Sequence, residues 1–173
     1  MSNDSSKAMY MAKGGILTAI GVLLIYLSRI MPVNKAYILA LASFIIPLSI
    51  VITDVKNSIV VYISTSILSF LICGLDITVI AYVLFFGSYG FVKLYTEKLH
   101  KLVIEIILKL VFVNICAAIM LLIYNLFFPG LFNFKFAIYW IMILLQISFI
   151  LYDYLITLII NFANKRIGKT KLY

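Results

Sequence analysis

Three charged residues lie deep inside long apolar stretches: Glu105 and Lys109 in LVIEIILKLVFVNI, and Asp153 in ISFILYDYLITLII. An ionised side chain at bilayer depth costs roughly 2.5–3.5 kcal/mol on insertion scales, so each of the three requires a partner or a function. Glu105 and Lys109 are spaced i,i+4 with the acid first, the favourable order for an ion pair on a helix. At 1.5 Å per residue from the span ends near Leu102 and Phe162, Lys109 lies about 10 Å deep and Asp153 about 14 Å deep. The depths match well enough for Lys109 to reach Asp153. A Glu105–Lys109–Asp153 network could move a proton, or couple an outer site to a cytoplasmic partner. It could also be a buried clamp between sequence-adjacent helices, and the clamp is favoured because each member has a partner.

Other polar side chains inside apolar runs define a candidate ligand pocket of Tyr82, Asn114, Asn125 and Gln146. The competing reading is hydrogen bonding between helices, which the same residue types also serve. Tyr124, Tyr139, Trp140 and Tyr154 fit an interfacial aromatic belt, whereas Tyr82 and Tyr152 lie deeper. Ala12, Gly15 and Ala19 form a small-residue stripe that permits close helix approach, a candidate docking face for a helix of this chain or of a partner. Pro47 and the Gly87/Gly90 pair in FFGSYG mark either kinks that free backbone groups to line a cavity or close helix crossings.

The elements that must hold these residues follow from composition. The chain has 173 residues, 65% of them hydrophobic and only 12% charged, with a mean hydropathy of +1.19. A water-soluble domain with an ordinary polar surface is excluded, and the lipid bilayer is the expected environment. Apolar runs at 14–31, 36–53, 58–74, 77–92, 102–128 and 136–162 predict an all-α polytopic bundle of six transmembrane helices. Merging the third and fourth runs into one re-entrant unit is the main alternative. Gly74-Leu75-Asp76 supplies a tight turn between those two runs, and Pro129-Gly130 with Asn133 and Lys135 breaks the last two. Residues 1–11 are expected as a disordered polar N-terminus, 12–166 as the membrane domain and 167–173 as a basic tail.

Fourteen Lys and Arg against six Asp and Glu give a net charge of +8. Because the basic residues sit between apolar runs, they read as topology signals and not as a nucleic-acid groove. With the N-terminus inside, Lys7, Lys13, Lys56, Lys93, Lys98, Lys101, Lys165, Arg166, Lys169 and Lys171 fall on the inner side. Only Arg29, Lys35 and Lys135 fall outside, which predicts a multi-pass protein of the cell membrane with both termini cytoplasmic. The first run follows Lys7 and Lys13 like a signal peptide but has no small-residue cleavage site, so an uncleaved anchor is expected. Cys73 and Cys116 sit in apolar sequence and read as small core residues, with no disulfide, metal or cofactor implied. His100 is the single histidine and belongs to the basic turn KLHK, which leaves Ser-His and His-metal chemistry without a centre. No phosphate-binding loop or potassium-filter motif is present in the sequence, and an enzyme is not expected.

The stretch YVLFFGSYGFVKLYTEKL (82–99), with EIILKLVFVNI (105–115) and the closing YDYLITLIINF (152–162), resembles a group of small six-span membrane proteins of Gram-positive bacteria. That group is similar to the S components of energy-coupling factor (ECF) importers, and the likeness covers about residues 12–166. It implies a solute-binding subunit that captures a vitamin or other micronutrient and docks on a transmembrane coupling protein carrying ATPase subunits. In S components the first helix meets the coupling protein through alanines, a role that the resemblance gives to Ala12, Gly15 and Ala19, with glycine replacing one alanine here. Loops 29–36 and 129–136 would enclose the ligand. The alternative is a non-catalytic membrane scaffold resembling the rod-shape MreD family, acting through protein contacts alone. A cavity lined by Tyr82, Asn114, Asn125 and Gln146 favours the first reading, and a solid bundle with an outward small-residue face favours the second.

Overall fold

Apolar runs of about 20 residues cannot leave backbone amides unpaired in hydrocarbon, so they close their hydrogen bonds internally as helices. A computed structural model describes the backbone of residues 2–31, 33–99, 101–127 and 135–167. The helices are α1 (Ser2–Ile30), α2 (Lys35–Ser43), α3 (Ile45–Ile52), α4 (Val55–Cys73), α5 (Ile77–Ala81), a π-helical turn (Tyr82–Phe86), α6 (Tyr89–Glu97), α7 (Leu102–Phe127) and α8 (Lys135–Ile167). No strand occurs among the described residues. Together they form six spans, Lys7–Ile30, Lys35–Ile52, Val55–Cys73, Ile77–Glu97, Leu102–Ile123 and Met142–Lys165, each long and apolar enough to cross a membrane. The chain is an all-α, multi-pass membrane protein.

The third and fourth spans have 19 and 21 residues, about 28 and 31 Å of helix, so each can cross alone without forming a re-entrant pair. Gly74 caps α4 in the left-handed region at φ 70°, and Asp76 then starts α5, its Oδ1 accepting from the Thr78 amide at 2.8 Å. That is the tight turn expected from Gly-Leu-Asp.

Three boundaries differ from the sequence expectation. The segment 1–11, expected to be disordered, is helical from Ser2. No proline or glycine interrupts it before Gly14, so the apolar helix behind it propagates outward. The second span breaks at Phe44 between α2 and α3. Pro47 is the cause, because it lacks the amide that would bond the Ser43 carbonyl and its ring crowds that carbonyl. The fourth span runs on to Glu97 instead of stopping at residue 92, because Lys93 is fully buried and paired rather than lying on an inner rim. Loop 129–136 falls mostly outside the described residues, as do Pro32, His100 and the tail beyond Ile167.

Close helix crossings organise the packing. α1 and α4 run parallel: an ideal Cβ on Gly14 would lie 2.9 Å from Asn57 Nδ2 and 3.2 Å from Val61 Cγ2. Further along, a Cβ on Gly21 would lie 2.9 Å from Thr65 Cγ2. Asn57 Nδ2 donates to the Tyr10 carbonyl at 3.1 Å and fixes the register. On the other side, Gly90 of α6 abuts Pro47 and Ile46 of α3, and Gly87 abuts the Tyr62 ring. A third packing centre joins Val51, Tyr89, Val113, Phe149, Ile156 and Ile160 from α3, α6, α7 and α8.

Candidate functional site

The charged residues of three spans meet at one place. Asp153 of α8 is the hub: Tyr89 Oη donates to its Oδ1 at 2.5 Å, Lys93 Nζ also donates to Oδ1, and Lys109 Nζ donates to Oδ2 at 3.0 Å. Lys109 of α7 further donates to Glu105 Oε1 at 2.5 Å and to Glu97 Oε1 at 3.4 Å. Lys93 of α6 pairs with Glu97 Oε1 at 2.8 Å and donates to Thr157 Oγ1 at 2.8 Å. Both lysines are buried, and Lys93 has no exposed surface. Helical periodicity does the positioning. Tyr89, Lys93 and Glu97 stand four residues apart on α6, Glu105 and Lys109 on α7, and Asp153 and Thr157 on α8, so three one-sided stripes converge.

Aromatic rings close the cluster on its apolar side. Phe85 lies 5.9 Å from Tyr152, 6.2 Å from Phe112 and 6.2 Å from Phe149 between centroids, and Tyr89 meets Phe149 edge-on at 5.2 Å. In so apolar a setting each ionic hydrogen bond is strengthened, and an unpaired charge would be correspondingly costly. The cluster holds two lysines and three carboxylates, each within ion-pair distance of at least one opposite charge. Such a closed arrangement joins three spans.

The Lys109 contacts expected from matching depths are present, to Glu105 and to Asp153. Lys93, Glu97 and Tyr89 were missed by the sequence reading, which ended the fourth span at the first charge. A usable signal was there: Tyr89, Lys93 and Glu97 fall on one helical stripe, directly continuing an apolar run.

The candidate pocket residues have separate surroundings. Tyr82 is fully buried with Ile25, Ala42, Cys73 and Val79, whereas Asn114 Nδ2 donates to the Leu110 carbonyl of its own helix at 2.9 Å. Asn125 is exposed on α7 and Gln146 half-buried on α8. No hydrogen bond among the described residues joins any two of these four. Tyr152, the other deep tyrosine, donates to Ser43 Oγ at 2.5 Å and so ties α8 to α2. Cys73 and Cys116 are free and buried, as expected of core residues. Among the described residues no group of His, Cys, Asp and Glu could hold a metal ion.

Ala12, Gly15 and Ala19 face outward on α1, and a Cβ added at Gly15 would meet nothing within 4 Å. The intramolecular helix contact is instead made by Gly14 and Gly21, one residue off the expected stripe. The reason is angular: the two sets lie on different sides of the helix, and α4 takes the side carrying Gly14, Leu17, Thr18 and Gly21. Side chains of Tyr124, Tyr139 and Trp140 lie outside the described residues.

Comparison of the chain with protein-family models, curated proteins and solved structures gives no match in any of the three.

Proposed function

We propose that this chain is a non-catalytic subunit of the cell membrane that acts by binding another membrane-spanning protein, with both of its own termini cytoplasmic. The observation that carries the reading is the internal pairing of the charged groups. Glu97, Glu105 and Asp153 are all engaged with Lys93 and Lys109, and the four polar residues expected to form a pocket are not bonded to one another. A bundle whose charges serve its own packing fits a scaffold of the MreD-like kind. The outward Ala12, Gly15 and Ala19 supply a face on which a partner helix can approach closely.

A second reading is the ECF S-component-like solute-binding subunit. It is favoured by one specific observation, the outward direction of that same face, where the resemblance puts the coupling protein. The two readings share the protein contact and differ in whether a vitamin-like ligand is carried.

Purification of the tagged protein from its own host in mild detergent, beside a Gly15→Leu/Ala19→Leu variant, tests both. A membrane partner recovered with the native chain and lost with the variant, at unchanged thermal stability, supports the contact. Recovery of equal amounts of every partner by both chains overturns it. A coupling protein with paired ATPases and a bound small molecule would select the second reading over the first.

A further inference from the structure

We propose that the end of the bundle carrying both chain termini is a binding surface for anionic phospholipid headgroups. The inference starts from where the six acids go. Glu97, Glu105 and Asp153 are drawn into the interior cluster with Lys93 and Lys109, and Asp76 lies at the opposite end, 3.6 Å from Arg29 Nε. At the rim where α1 begins, α4 begins, α6 turns into α7 and α8 ends, Glu97 and Glu105 flank the α6–α7 turn but are paired with Lys93 and Lys109, while Asp153 lies deeper and Asp76 at the other end. Among the described side chains, that rim presents exposed Lys7, Lys56, Lys98, Lys101 and Lys165, with Lys13 half-exposed, against the single exposed acid Asp54. In the sequence Asp4 precedes these lysines and Arg166, Lys169 and Lys171 follow them.

Six described lysines against exposed Asp54 and the one carboxylate by which the cluster exceeds its lysines leave a net positive rim at headgroup level, and its natural counter-charge in a bilayer is lipid phosphate. The rim divides into two edges. Lys7, Lys13 and Lys56 flank the α1–α4 contact, where Asn57 reaches the Tyr10 carbonyl. Lys98, Lys101 and Lys165 flank the α6–α7–α8 cluster. On that second edge Lys98 Nζ stands 5.6 Å over the ring of exposed Tyr95, an amphipathic pair suited to the boundary between acyl chain and headgroup. None of the lysines on the second edge takes part in the ion pairs of the interior cluster, so they can be changed without breaking it.

The test is the association of spin-labelled phosphatidylglycerol and phosphatidylcholine with the full chain reconstituted in bilayers. Native protein is expected to select phosphatidylglycerol, with the preference fading as salt is raised toward 1 M. Replacing Lys98, Lys101 and Lys165 with glutamine is expected to lower the preference by about fivefold or more, since each basic residue near the surface contributes roughly that factor. Its thermal unfolding should match that of the native chain. Equal association of the two lipids with native protein, or selectivity that survives 1 M salt, overturns the proposal. So does a folded triple variant with undiminished preference; if that variant does not fold, the salt series on native protein alone decides.

Discussion

Two buried polar regions of this bundle are built on different rules. Around Asp153 each charged side chain has an opposite charge in reach, across three spans. In the region of α4 and the π-helical turn, buried Thr65 donates to the Val61 carbonyl of its own helix, while Ser69 Oγ and Tyr82 Oη have no well-formed hydrogen bond among the described residues. The difference follows from what each group loses on leaving water. A lone charge costs several kcal/mol, so it is buried only in company, whereas a lone hydroxyl costs about 1–3 kcal/mol and is survivable in a well-packed bundle. The ionic region dictates which spans must meet. The hydroxyl region follows packing already fixed by others.

The most severe way to break the contrast is Asp153→Asn. Removing the hub charge leaves Lys93 with Glu97 and Lys109 with Glu105, but takes from each lysine its shared carboxylate on α8. A loss of about 3–5 kcal/mol is expected on reversible unfolding in mixed micelles. Combining Asp153→Asn with Lys93→Met should cost less than the two single changes added together, because the Lys93–Asp153 pair that either change removes is lost only once. Strict additivity of the three free energies would show that the cluster is a set of independent contacts and not a unit.

Next in size is Gly90→Ala. The added Cβ would lie 2.9 Å from Pro47 Cδ and 3.0 Å from Ile46 Cγ2, on a helix whose path the proline ring has already bent. The neighbour is a rigid ring, so the α3–α6 contact must open, at an expected cost of about 1–3 kcal/mol. Gly15→Ala, facing nothing within 4 Å, should leave unfolding unchanged in the same assay.

How much of this was legible beforehand depends on residue type. Spans and turns were readable because apolar run length and Gly-Leu-Asp carry local physics. The Lys109 contacts were readable because i,i+4 spacing and depth are one-dimensional quantities. Lys93 was misread because a charge at the end of an apolar run looks the same whether it turns to a headgroup or to Asp153 on another span. The contact of α1 with α4 runs through Gly14 and Gly21 and leaves Ala12, Gly15 and Ala19 outward, a choice invisible in the sequence because both sets are equally small and only the position of α4 distinguishes their faces. For the four pocket candidates, polarity within a span tells that a group needs a partner, not that the partner is a ligand. Asn114 found one four residues back on its own helix.

At the opposite end, Asp76→Asn gives a smaller, pH-dependent effect. Burial works to raise the Asp76 carboxyl, but hydrogen bonds from the Thr78 hydroxyl and amide and the Arg29 and Lys35 charges outweigh it and hold the group below its ordinary value. A lowered native value means that the unfolded chain binds the proton first. The stabilisation is therefore complete above the ordinary carboxylate value and is lost as pH falls through the native one. Asp76→Asn keeps a capping side chain but loses the Arg29 pair, and is expected to cost up to about 1 kcal/mol at neutral pH and to flatten the acid side of the stability profile. An unchanged slope below pH 4 in the variant would show that acid sensitivity arises elsewhere.

The smallest effect sharpens the comparison most. Tyr62 and Tyr82 are both buried or half-buried tyrosines of the same region, yet Tyr62 Oη donates to the Val83 carbonyl at 2.8 Å, a π-turn acceptor, while Tyr82 Oη has no well-formed hydrogen bond among the described residues. Tyr62→Phe removes a bond that crosses between spans and is expected to cost about 0.6 kcal/mol, the mean worth of such bonds in a membrane bundle. Tyr82→Phe and Ser69→Ala each remove a hydroxyl whose hydrogen-bonding capacity is already unmet, so stability should stay level or rise slightly. If Tyr82→Phe instead costs more than Tyr62→Phe, the Tyr82 hydroxyl has a partner, and the same measurement made on Thr65→Val separates the neighbouring Thr65 hydroxyl from a bound water or solute.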